Sequence, residues 1–289
     1  MGARGGAKQL KFNVLLLFVL LRGAGSLHAQ DDGFAWHEHD GYKTRVATRL
    51  VNTHSTEQLG KGELDFRILH RFGTFDGGWN TLFGLDQAQM RISFDYGVLP
   101  WLSVGVGRSS YQKEYDGFLK LRLLKQRNGK GMPLTVTYAS GMVLNTLKWQ
   151  QPARDNFFSS RLFYSHQLLL SRYFGRALML QLSPGMVHRN LAAAAGDRND
   201  IFAMGMGGRV VLSPKFTLVA DYQYVPSGQT AAPMYQPLTL GLDINTGGHV
   251  FQLHCSNSAG MNEKAFITQT GSPFGAGSLR FGFNLSRVF

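Results

Sequence analysis

Between Glu63 and Phe289 the chain alternates apolar and polar residues with a period of two, in one segment after another. In DQAQMRISFDYG, Ala88, Met90, Ile92, Phe94 and Tyr96 share one parity, while Gln87, Gln89, Arg91, Ser93 and Asp95 share the other. Successive side chains of a strand point to opposite faces, so each such segment has one greasy and one polar surface. The same stripe recurs at Leu64–Ile68, Leu102–Val106, Leu119–Leu123, Leu134–Tyr138, Leu162–Leu170, Leu178–Leu182, Phe202–Leu212, Phe216–Tyr224, Leu238–Ile244 and Phe251–Cys255. The terminal LRFGFNLSRVF makes about twelve segments in all.

The connections constrain how these strands associate. Short turns fall at 98–101, 128–131, 174–177, 213–215 and 245–248. Between them stand longer loops: GTFDGGWNTLFG, QKEYDG, TLKWQQPARDN, LAAAAGDRND, PSGQTAAPMYQ and the stretch from Ser256 to Gly277. Short and long connections alternating around an even set of antiparallel strands predict an all-β, antiparallel transmembrane β-barrel of about 12 strands. Tyr96, Trp101, Tyr111, Tyr115, Trp149, Tyr173 and Phe174 sit near strand ends, as an interfacial girdle would. A soluble sandwich would show the same periodicity, but not this loop alternation.

The N-terminus sets the compartment. Arg4, Lys8 and Lys11 precede the apolar run VLLLFVLL and the small-residue exit RGAGSLHA, which reads as a signal peptide over residues 1–29. The run is too short to cross a bilayer as a helix. Removing it takes away Arg4, Lys8, Lys11 and Arg22 and no acid, lowering the net charge from +12 to +8. That excess is dispersed, so no nucleic-acid partner is expected. The lone Cys255 can form no internal disulfide. The expected site is the outer membrane of a Gram-negative bacterium. Phe289, on the apolar parity of the last strand, is expected to act as a signal to the barrel assembly machinery. Arg287, on the same parity, departs from that pattern.

The words HRFG (70–73), FGLDQA (83–88), DYG (95–97), SVGVGRSS (103–110), LSPGMVHRN (182–190), LGLDINTGGHVFQLHCSNS (240–258) and RFGFNLSRVF (280–289) follow in order. Together the chain resembles, over residues 44–289, the β-barrel family known as domain of unknown function 5777, common in Bacteroidota. That resemblance implies an outer-membrane barrel of unassigned activity and carries over no catalytic or binding residues.

The polar parity places Glu63, Asp65, Arg67, Arg71, Arg91, Asp95, Lys120, Arg122, Asp221, Asp243, His254 and Arg280 toward the lumen. Twelve strands lie between a filled interior and an aqueous channel. Two readings stay open: a narrow channel or passive transporter for a small solute, or an envelope-associated barrel with a closed, salt-bridged lumen. Residues 30–62 form a periplasmic lead-in or a small plug before the barrel proper at 63–289. The cluster His37, Glu38, His39 and Asp40 reads as a solvated linker rather than a metal site. The neighbours Ser165 and His166 suggest a hydrolase, yet His166 lies on the lipid-facing stripe with no partner visible in the sequence. No enzyme activity and no cofactor are expected, and the protein is expected to be a monomer in contact with outer-membrane lipid.

Overall fold

The computed structural model describes residues 36–39, 42–45, 47–127, 131–149, 151–192, 194–275 and 277–289. The expected signal peptide and Asp40 lie outside the described residues. A short hairpin, β1 (Trp36–His39) with β2 (Tyr42–Arg45), comes first. Twelve strands then form a closed antiparallel barrel. They are β3 (Leu64–Thr74), β4 (Ala88–Leu99), β5 (Leu102–Ser109), β6 (Glu114–Leu124), β7 (Thr135–Asn145) and β8 (Leu162–Phe174). β9 (Leu178–Arg189), β10 (Asp200–Val211), β11 (Phe216–Tyr224), β12 (Leu238–Asn245), β13 (His249–Ser256) and β14 (Arg280–Val288) complete it. Each strand pairs with its sequence neighbours, and β14 returns to β3.

The period-2 pattern decides which face turns inward. On β4, Arg91, Ser93 and Asp95 are buried, while Phe94 and Tyr96 are 48% and 43% exposed. The polar parity therefore faces the interior and the apolar parity the surroundings, the inverse of a soluble barrel. At the seam, the Phe289 N–H donates to the Leu64 carbonyl at 2.9 Å and the Leu64 N–H to Phe289 at 3.1 Å. This removes the open edge that would otherwise expose unpaired backbone groups.

Five connections lie at the end that holds Leu64 and Phe289, and four of them, 100–101, 175–177, 212–215 and 246–248, have four residues or fewer, while residues 125–134 make the fifth longer than the sequence suggests; the other six lie opposite. One of those six is shorter than the sequence suggests. Only residues 110–113 separate β5 from β6, and most of the expected loop QKEYDG belongs to β6. Glu114 is fully buried and Tyr115 exposed, so the inward–outward alternation already runs through that stretch.

Candidate functional site

Two stretches of the chain are buried against the inward side chains of the barrel. Residues 47–59 are all buried, and their partners lie on strands around the whole barrel, so this N-terminal insert runs inside. Its tip is a tight reversal: Leu50 N–H donates to Thr53 O at 2.9 Å, and Arg49 bridges His54. A buried loop must find partners for every backbone N–H and C=O. Here the strand side chains supply them. Asp221 on β11 accepts from the N–H groups of Val51, Asn52 and Thr53 at 3.3, 2.7 and 3.2 Å. Arg209 on β10 donates to the carbonyls of Ala47 and Arg49 at 2.7 and 2.6 Å. Lys120 on β6 donates to the carbonyls of Thr48, Ser55 and Glu57. Gln252 donates to Leu50 O and Gln181 to His54 O. The insert leaves the lumen at Gly60, where a Cβ on Gly97 would collide with the Gly60 carbonyl.

The second insert is the β13–β14 connection. Residues 260–268 are buried and include the short helix α1 (Glu263–Thr268), capped by the Asn262 side chain accepting from Ala265 N–H. Lys264 pairs with Glu114 at 2.6 Å, and Asn262 donates to the same carboxylate at 2.7 Å. Burial pushes the Lys264 amine below its usual range, and Glu114 opposes that shift. Arg71 on β3 donates to the carbonyls of Ser258 and Gly260 at 3.0 and 2.9 Å. The two inserts meet at Glu263, which pairs with Arg49 at 3.0 Å and lies 3.4 Å from His54 Nε2. Burial, reinforced by Arg49, Lys120, Arg91 and Arg67, drives the His54 imidazole well below its usual range, so it is neutral.

The remaining predicted residues fall around these inserts. Arg91 pairs with Asp116 at 2.5 Å, and Arg67 with Asp65 at 3.4 Å while also donating to Thr48 Oγ1. Asp95 is buried on the same inward face. Asp243 accepts from Gln252 at 2.6 Å, and His254 lies 3.2 Å from Arg71. Glu63, just before β3, accepts from Gly60 N–H at 2.8 Å. Arg122 reaches the Pro100 carbonyl at 2.5 Å and Arg280 the Phe72 carbonyl at 3.4 Å, both half-buried. These twelve do not converge on one centre; Arg67, Arg71, Lys120 and Asp221 bond to the inserts, and the others are spread along the wall.

Reading the inward parity as polar misses an apolar part of the interior. Met179 and Val219 pack on Leu50 and Val51 of the N-terminal insert. Val187, Ile201 and Ala203 pack with Phe266 and Ile267 of α1. The signal was present, because β9 and β10 carry apolar residues on both parities, which a water-filled lumen does not require. His166 also differs from expectation. Ser165 points inward, whereas His166 Nδ1 lies 2.6 Å from the Tyr138 hydroxyl and 3.3 Å from the Ser140 hydroxyl on the outer face.

Residues 46–289 match the family described as a membrane bound beta barrel domain, DUF5777. The chain belongs to that family. The apolar outer face of this membrane barrel is thus its lipid-facing surface. Among solved structures, the NanC porin is similar with a TM-score of 0.49 and 10% identity, over 78% of this chain and 98% of that one. The KdgM porin gives 0.47 and 9%, over 78% and 99%. An active-site mutant of outer membrane phospholipase A from Escherichia coli gives 0.45 and 12%, over 90% and 95%. No curated protein sequence matches this membrane barrel.

Proposed function

We propose that the protein is an outer-membrane barrel of a Gram-negative envelope that is closed at rest and conducts a small solute only when its inserts are displaced. The observation that carries this reading is the commitment of Asp221, Arg209, Lys120 and Arg71 to the backbone of the two inserts. Charged side chains that faced an open, wet pore would be hydrated rather than bonded to buried peptide groups. Glu263 ties one insert to the other, so loosening either loosens both.

The test is conductance in a planar bilayer. Wild-type protein should be silent, and an Asp221→Ala, Glu263→Ala variant should show discrete steps. A steadily open wild-type pore would overturn the closed state. If the variant is folded and also silent, the second reading holds: an envelope-associated barrel with no transport, favoured by the density of bonds to the N-terminal insert. In either reading the protein is proposed to act as a monomer, inserted by the assembly machinery through the strand that ends at Phe289.

A further inference from the structure

A polar group stands where hydrocarbon is expected. Tyr138 and Ser140 on β7 and His166 on β8 all occupy the outward parity, and Ser140 is the midpoint of its strand. Their outward neighbours are apolar: Leu119 opposite Ser140 and Met186 opposite His166. Higher on the same face, Tyr164 stacks on His188, which pairs with Asp200 at 2.6 Å. Tyr164 and Phe202 lie near the long-loop ends of β8 and β10, at the level of an aromatic girdle. His166 therefore sits one outward position beneath Tyr164 on the same strand.

Within the cluster the relative acidities assign the hydrogen-bond roles. A phenol is a better proton donor than a neutral imidazole, so at 2.6 Å Tyr138 donates to His166 Nδ1. The proton of the neutral ring then resides on Nε2. Among the described residues that N–H has no protein acceptor, in surroundings where an unmade hydrogen bond is costly.

We propose that the outward face of β7 and β8 holds one membrane lipid through an acyl-ester carbonyl that accepts from His166 Nε2, with its chain lying along Leu119 and Met186. Tyr138 and Ser140 hold the ring in the donating tautomer. The ligand class is thus an ester-linked glycerolipid, distinguished from its ether analogue by that carbonyl alone.

The experiment is native mass spectrometry of the full chain, released from micelles with equal amounts of diacyl and dialkyl glycerophosphoethanolamine. Wild-type protein should retain the diester lipid over the diether by about two- to tenfold, the worth of one hydrogen bond. His166→Phe should abolish the preference and His166→Gln, which keeps a donor, should retain it. Equal retention of the two lipids by wild type overturns the proposal, and so does a preference that survives in His166→Phe. A wild-type dimer that His166→Phe dissociates would put a second copy on this face and overturn it too. Should His166→Phe not fold, the wild-type comparison decides.

Discussion

Asp221 shows how one carboxylate can organise a loop that has no regular structure. It accepts from consecutive N–H groups at the insert tip, which would otherwise be buried donors without acceptors. Replacing it with alanine should destabilise the folded protein by about 1.5–3 kcal/mol, the range for a hydrogen bond to a charged group. Urea unfolding would measure the loss, and limited proteolysis within residues 47–60 should become faster. His54 adds a pH dependence. Its folded pKa is lowered, so below the ordinary value of about 6.5 the unfolded chain takes up a proton that the folded protein refuses. Stability should fall as pH drops from 7 to 5, by about 1.4 kcal/mol per unit once below 6.5. His54→Gln should flatten that slope; an unchanged slope would assign it to other groups. Parity placed Asp221 on the inner face. Its partners, some 170 residues away in the chain, carry no local mark in the sequence.

Single strands were the most legible level, because alternation is a local property. Ile92 and Ser93 show where that legibility stops. Ile92→Arg, on the lipid side near the middle of β4, should cost about 2–4 kcal/mol if it lies near the bilayer midplane. From the sequence alone Ser93→Arg would be mild, since its parity faces a polar lumen. In the structure Ser93 is fully buried beside Gly107, which itself packs close to the Arg91 guanidinium, so there is no room for a second one. Both variants should therefore lower the refolding yield in detergent, and a normal Ser93→Arg would mean that the interior is emptier than described. The helix α1 is the opposite case. EKAFIT is too short to announce itself by periodicity, and its apolar side is explained by Val187, Ile201, Ala203 and Val225, which it packs with.

For the whole molecule, strand number, antiparallel order and closure followed from alternation and from the uneven lengths of the connections. The state of the interior did not, because strand count leaves twelve-stranded barrels undecided between filled and open. Side chains on β6 and β9–β13 that bond to residues 47–59 favour the filled reading. A closed barrel with every strand paired should resist detergent unfolding and migrate differently on gels before and after boiling. Loss of that difference in the Asp221→Ala, Glu263→Ala variant would show that the inserts support the barrel itself.

The N-terminal insert is made before the wall that anchors it. Residues 47–59 precede every barrel strand, yet their anchors include Arg209, Asp221, Thr239 and Gln252, 160 to 202 residues downstream. During synthesis that segment waits with its peptide groups hydrated while most of the wall is still absent. Once β14 joins β3, the only routes inward are the two ends of a cylinder already being filled. The segment must then be inside before the last two strands meet, or thread in from the end where Gly60 leaves. Either way the most distant contacts carry the loop-closure cost that slows folding, so a segment made before the wall completes its bonds only when most of the wall exists.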